Sequence, residues 1–162
     1  MTEIFVMTRD HEFWEKTAAL AEHCSWRAGA HLAQKMRDND FAEWERVFAA
    51  VEDGDVAGFC TLTEKDELPA QYDFSPFIGF VFVSESHRGK RLSGKMIEAA
   101  SSYARTLGHK KIYVMSGERS LYEKFGFEPL GDFPTIYGTT ERLFVRSIAE
   151  AGRAEPSSVI SP

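Results

Sequence analysis

Thiols are scarce in this chain. Cys24 and Cys60 are the two cysteines among 162 residues, and no Cys-x-x-Cys pair is present to hold structural zinc. Both sit among apolar neighbours and read as small core residues. Long apolar runs are missing as well, so no segment is suited to span a bilayer. The opening "MTEIFVMTRD" has no basic stretch followed by an apolar one; no signal peptide is expected, and a reducing cytoplasmic setting is the default. Positive charge is also in deficit. Nineteen Lys and Arg against 25 Asp and Glu give a formal net charge of −6, which argues against a general nucleic-acid surface. What the chain does have is bulk: 43% hydrophobic residues, with 13 Phe and three Trp, suffice for one packed domain.

Residues Glu3 to Met7 read as a first strand, followed by a helix for which Asp10 is a candidate cap. Phe13, Thr17, Leu20, Ala21 and Cys24 recur at helical spacing. A second helix is expected over Ala28 to Arg37, with Leu32 and Met36 on its apolar side. "VFAAV" and "VAGFCTL" are β-prone runs joined by "EDGD", a hairpin signal. "FIGFVFV", Phe77 to Val83, is almost continuously apolar and suits a central strand covered on both faces. Leu92, Met96, Ala100, Ala104 and Leu107 then mark a helix closed by Gly108. "KKIYVM" is a strand, "SLYEKFG" a short helix closed by Gly126, and "FEPLGDF" and "ERLFVRSI" two late strands. The order is α/β or α+β, with a strand-loop-helix-strand unit at its centre. Residues 1–149 form a single domain, and 150–162 a tail expected to be mobile because it has little to bury.

The joint between that central strand and helix, "SESHRGKRLSGKMI", concentrates Arg88, Lys90, Arg91 and Lys95 in an otherwise acidic chain. A helix start presents unpaired N–H groups and the positive end of the helix dipole. Together they favour phosphate or pyrophosphate. Gly89 and Gly94 remove side chains where a ligand could approach backbone, and Ser93 adds a hydroxyl. Two ligand classes fit. For a nucleoside triphosphate, Gly89, Gly94 and Lys95 match G-x-x-x-x-G-K, yet Met96 stands where the magnesium-binding hydroxyl belongs. The other class is a pyrophosphate-bearing acyl carrier.

For the second class the residues carry a family likeness. Arg88-Gly89-Lys90-Arg91-Leu92-Ser93 is similar to the [Q/R]-x-x-G-x-[G/A] step of the GNAT superfamily of acetyl-CoA-dependent N-acetyltransferases. Arg91 stands where the family prefers Gly, and Ser93 where it prefers Gly or Ala. "LYEKFGFEP" resembles the family's "LYEKLGF". The resemblance spans most of Ile4 to Val145 and is strongest from Phe77 to Pro129. It implies a three-layer fold, a mixed sheet of about six to seven strands with helices on both faces, and central strands splayed to admit the cofactor.

The resemblance also implies roles. The cofactor is acetyl-CoA, used as co-substrate. Main chain at Phe82 and Val83 would pair with its pantetheine arm, an N–H near Val83 would meet the oxyanion, and Arg88, Gly89, Lys90, Arg91, Leu92, Ser93 and Gly94 would surround the pyrophosphate. Tyr122 matches the general acid that protonates the departing thiolate. Glu85, His87, Asp73, Glu118 or a water chain are candidates for the base, and none is preferred. His11, His23, His31 and His109 show no metal-ligand spacing, so no metal is expected. The acceptor is expected to be an amine of a small molecule or peptide, with neither nucleic acid nor membrane as partner; a homodimer is carried as an expectation from relatives. Trp14, Trp26, Phe41 and Trp44 lie in the first third, where the resemblance places the acceptor pocket and an aromatic lining could hold an amine by cation–π contact; core and helix packing is the other reading of the same residues. The acidic groups of "EKDE", residues 64–67, could attract a cationic amine, although such loops are ordinarily solvated. A non-catalytic acyl-CoA sensor is the alternative reading; it would keep the loop without needing Tyr122.

Overall fold

The computed structural model describes residues 1–118 and 120–149; the expected tail lies outside them. Seven strands form one sheet in the order β1-β2-β3-β4-β5-β7-β6. They are β1 (Thr2–Met7), β2 (Arg46–Glu52), β3 (Asp55–Thr63), β4 (Phe77–Val83), β5 (Lys111–Ser116), β6 (Glu128–Pro134) and β7 (Thr140–Ser147). Helices α1 (Trp14–His23) and α2 (Ala28–Arg37) cover one face, and α3 (Leu92–Thr106) covers the other. This is the three-layer α/β arrangement anticipated above.

Side-chain alternation divides the core. In β2, Val47, Ala49 and Val51 pack with Trp14, Ala18, Ala21, Leu32 and Met36, while Phe48 and Ala50 pack with Leu92, Met96, Ile97, Ala100 and Ala104 of α3. The period-2 pleat of the strand places these two sets on opposite faces. The hairpin between β2 and β3 has Asp53 and Gly54 at φ 51° and 87°, the paired positive values that Asp-Gly turns supply.

Three local expectations change. Asp10 does not cap α1; the helix begins later, at Trp14, and His11 Nδ1 accepts the Phe13 N–H at 3.1 Å. The buried stripe of α1 is rotated, so Trp14, Thr17, Ala18 and Ala21 are buried while Phe13 and Leu20 lie at its margin. Leu107, the C-cap residue of α3, is 40% exposed, because the chain has already turned off the sheet.

Where β4 meets β5 the sheet comes apart. These strands are parallel, and their register holds one pair, Phe77 with Tyr113, beside the Tyr113 N–H to Pro76 O bond of 3.0 Å. Beyond it, β4 stays paired to β3 and β5 to β7, but the facing edges part. The loop 64–76 lies over the α1–α2 face beside this opening. Leu68 anchors it in a small core with Phe77, Met115 and Leu143.

Candidate active site

The parted edges are shaped by a bulge in β4. The β3–β4 register shifts between Phe59 and Thr61, and Phe80 takes φ 52°, the irregularity that an extra residue in one strand produces. The bulge sets Gly79 and Phe80 toward the same face, that of α1 and α2, and returns Val81 and Val83 to the face of α3.

Ladder parity then decides which main-chain groups look into the gap. Ser84 N–H donates to Ala57 O at 2.8 Å. Alternation in an antiparallel pair turns Phe82's main chain toward β3 and Val83's away from it, into the gap. Consistently, Arg88 Nε donates to Val83 O at 3.2 Å. Phe82 therefore differs from the expectation that its backbone serves a bound arm. It presents its ring instead, stacked on Trp26 at 5.8 Å and 3° and on Phe59 at 5.2 Å.

At the end of β4 a 3-10 turn, Glu85–His87, is fastened by Ser84 Oγ and His87 Nδ1 at 2.8 Å. The chain then enters α3 through two left-handed residues, Gly89 at φ 87° and Arg91 at φ 61°. A Cβ at Gly89 would meet nothing within 4 Å, so conformation rather than crowding demands glycine there. Arg91 adopts the same region without that freedom, which explains why glycine is preferred at its position. As N-cap of α3 it makes no side-chain capping bond, and the first turn holds no acidic residue. Lys95 N–H to Arg91 O at 3.2 Å is the first bond of the helix. The amides of Leu92, Ser93 and Gly94 thus precede the helix ladder and form an anion-receptive end.

The surrounding residues divide by task. Leu92 is 2% exposed and roots α3 in the core. Lys90 Nζ lies 3.4 Å from Glu52 of β2, whereas Arg91 and Lys95 are exposed and make no ion pair among the described residues. Gly94 has a packing role: a Cβ there would lie 3.0 Å from Phe125. Met96 is fully buried, so the position where a nucleotide site needs a hydroxyl belongs to the core.

Tyr122 lies in a 3-10 turn, Tyr122–Phe125, and is 5% exposed. Phe127 and Phe144 flank its ring at 5.7 and 5.8 Å. Burial raises its phenol above the ordinary range, and the negative charges of Glu118 and Asp66 add to the effect alongside Cys60. The phenol is therefore a proton holder throughout the neutral range. Of the sequence candidates for a base, Glu85, Asp73 and Glu118 are exposed, and His87 is engaged in its turn. Of the aromatic candidates, Trp26 faces β4. Trp14 packs on Phe41 at 5.8 Å, and Trp44 sits beside His109 at 5.9 Å, on the face of α3.

Within the acidic loop "EKDE", one carboxyl that was not singled out as a base stands out. Asp66 leans over Gly79, where its Oδ1 would be 2.8 Å from a Cβ and Thr61 Oγ1 3.2 Å. Burial and the neighbouring Glu67 push it up to about 7. Among the described residues no group of three or more His, Cys, Asp or Glu could hold a metal ion. No described helix is long and apolar enough to cross a membrane.

Residues 8–127 match the model of the acetyltransferase (GNAT) family. The chain belongs to that family. No curated protein matches it in sequence. Its fold is similar to a crystal structure of aminoglycoside 6'-acetyltransferase type Ii, with a TM-score of 0.71 and 16% identity over 93% of this chain and 99% of that one. It is also similar to an aminoglycoside 6'-N-acetyltransferase complexed with coenzyme A, with a TM-score of 0.69 and 15% identity over 93% and 99%. A third is the aminoglycoside 6'-N-acetyltransferase from Enterococcus faecium, with a TM-score of 0.67 and 14% identity over 93% and 99%. At such identities the likeness extends to the fold of this GNAT protein. The strand parting and the bulge in β4 lie on the strand that leads into the anion-receptive start of α3.

Proposed function

We propose that this GNAT protein is an N-acetyltransferase that moves the acetyl group of acetyl-CoA directly to a primary amine. The observation that carries the reading is the parting of β4 and β5 beyond Phe77 and Tyr113, in line with an uncapped helix N-terminus. An unpaired strand edge inside a sheet is a template for an extended ligand, and a helix N-terminus suits the diphosphate at that ligand's other end.

In this reading the amides of Leu92, Ser93 and Gly94 hold the pyrophosphate, with Arg91 and Lys95 adding charge. Val83 aligns the pantetheine arm through the main-chain groups that face the gap. The thioester carbonyl then lies near the bulge, where an inward N–H stabilises the oxyanion. The amine nitrogen forms its bond to the carbonyl carbon, the C–S bond breaks, and Tyr122 Oη gives its proton to the thiolate. Holding both reactants at one site supplies the effective concentration.

The test is calorimetric binding of acetyl-CoA and ATP, followed by thiol release and mass analysis with spermidine, kanamycin and a lysine peptide. The expected result is acetyl-CoA binding without ATP binding, with amine-dependent thiol release and an acetylated product. Binding of acetyl-CoA without transfer to any amine would favour the sensor; ATP binding at the same site would overturn the reading.

A further inference from the structure

The β3–β4 loop carries a carboxylate that a solvated loop would not hold in place. Lys65 Nζ donates to Tyr72 O at 2.6 Å and Phe74 O at 2.9 Å. Thr63 Oγ1 donates to Lys65 O at 2.8 Å. Ile136 N–H donates to Glu67 O at 2.8 Å, and Leu68 is buried. Asp66 is thus clamped on both sides, while the lysine next to it is committed to two carbonyls. No ion pair reaches the Asp66 carboxylate among the described residues; the Glu67 main-chain N–H stabilises its charge, and Lys35 of α2 acts weakly.

Its position matters more than its burial. The carboxylate takes the space that a side chain at Gly79 would need. Gly79 lies two residues past the last β4–β5 pair and immediately before the bulge residue Phe80. Trp26, Phe80 and Phe82 stand on the same face. Tyr122 belongs to the core of the opposite face and feels the charge of Asp66. The carboxylate and the phenol therefore lie on opposite faces of the sheet and are electrostatically coupled.

We propose that Asp66 receives the acceptor: its carboxylate holds the incoming ammonium group beside Gly79 and takes the proton whose loss makes the amine nucleophilic. The assignment rests on the acetyl-transfer reading above and narrows the acceptor to a cationic primary amine. Trp26, Phe80 and Phe82 supply apolar contact to the carbon skeleton and a cation–π surface to the ammonium group as it approaches. Glu67 of the same loop and Glu141 of β7 add negative field, and burial raises both. A base poised near neutrality is the efficient kind.

The protons balance. The ammonium's first proton passes to Asp66 and on to water. As the N–C bond forms and the C–S bond breaks, the nitrogen's second proton, made acidic by the new bond, leaves directly to water, and water returns a proton to the Tyr122 phenolate once the thiolate has taken the phenol's.

The test compares wild type, Asp66→Asn and Gly79→Ala, each checked for folding by circular dichroism. Acetyl-CoA binding should be nearly unchanged in all three. Transfer to spermidine or kanamycin at neutral pH should fall about a hundredfold in Asp66→Asn, and the limb of the wild-type kcat/KM profile near pH 7 should vanish. Gly79→Ala, whose Cβ displaces the carboxylate, should share the defect in milder form. Hydroxylamine is already unprotonated at neutral pH, so its acetylation should survive in Asp66→Asn; a merely structural role would not produce that rescue. Wild-type transfer matched by Asp66→Asn in rate and pH profile, or loss of the hydroxylamine reaction in step with the others, would overturn this assignment and leave the acetyltransferase reading standing. Acetyl-CoA binding by wild type with no transfer to any amine would overturn both.

Discussion

Arg91 offers a separation of backbone strain from charge. It sits at φ 61°, ψ 30° at the entry to α3, where a left-handed residue with a Cβ costs roughly 1–2 kcal/mol. Glycine would remove that cost but lose about 0.5–1 kcal/mol more entropy on folding. Arg91 is exposed, with no ion pair among the described residues, so little contact energy opposes the exchange. Arg91→Gly should therefore be more stable than wild type by about 0.5–1 kcal/mol, or a Tm rise of roughly 1–4 °C for a domain of this size. Arg91→Ala keeps the strained backbone and should melt close to wild type. Acetyl-CoA affinity should group the variants differently. Both lose the same positive charge beside the amides of Leu92 to Gly94, which at an exposed site is worth about 1 kcal/mol, a roughly fivefold rise in Kd that shrinks with added salt. Thermal melts and calorimetry at two salt concentrations read the two effects on the same preparations. Arg91→Gly melting below Arg91→Ala would refute the strain at position 91. Wild-type affinity in both variants at low salt would remove Arg91 from the phosphate field.

Three further outcomes follow from the same geometry. Tyr122→Phe should keep acetyl-CoA binding, since the ring still fills the pocket between Phe127 and Phe144, while turnover falls about a hundredfold or more; unchanged turnover would remove the phenol from the mechanism. Gly89→Asp combines a Cβ at φ 87° with a negative charge beside the helix start, so the Kd for acetyl-CoA should rise at least about tenfold, and a calorimetric isotherm matching wild type would displace the cradle. Asp66 is raised from 3.8 to about 7 by folding; between these values the native state holds a proton that the unfolded chain has lost, so its contribution to stability is full below about pH 4 and is lost as pH rises through about 7. At 1.36 kcal/mol per pH unit this amounts to about 4 kcal/mol at most. Asp66→Asn should therefore flatten that decline in denaturant titrations, and an unaltered pH dependence would mean that the carboxyl is not desolvated.

Most of the fold was legible because its signals are local. The apolar run of β4, the Asp-Gly hairpin and the glycines closing α3 and the Tyr122 turn each depend on a few consecutive residues. The structure agrees closely at Ala28–Arg37 and Phe77–Val83. The basic joint was legible for the same reason, as helix-start amides and cations are adjacent in sequence. Arg91 was visible as a departure, and its left-handed backbone supplies the physical meaning. The errors fall where neighbours in space decide. The α1 stripe was shifted because Trp14 finds the Met36 carbonyl across α2, with Nε1 donating at 3.3 Å, a contact that helical spacing cannot reveal. The expectation named the main chain of both Phe82 and Val83, and only the ladder beyond the bulge at Phe80 separates the one facing β3 from the one facing the gap.

The Asp66 site was hidden for a deeper reason. "EKDE" has the composition of a solvated loop, and its first residue is exposed. What withdraws the third is a set of distant partners: the Tyr72 and Phe74 carbonyls that occupy Lys65, the Ile136 amide on Glu67, and the small core that accepts Leu68. None lies in a motif with Asp66. Gly79 was equally silent, since glycine in a central strand ordinarily signals a bulge or close backbone approach. Here the bulge is at the next residue, and the space left at Gly79 is filled by a carboxylate from another segment. Proton-accepting capacity at this site therefore belongs to a pairing, a missing side chain on β4 and a clamped loop above it. Neither half announces chemistry alone, which is why "EKDE" was read only as a loop that could attract a cation and the base was sought among acidic residues near the motif.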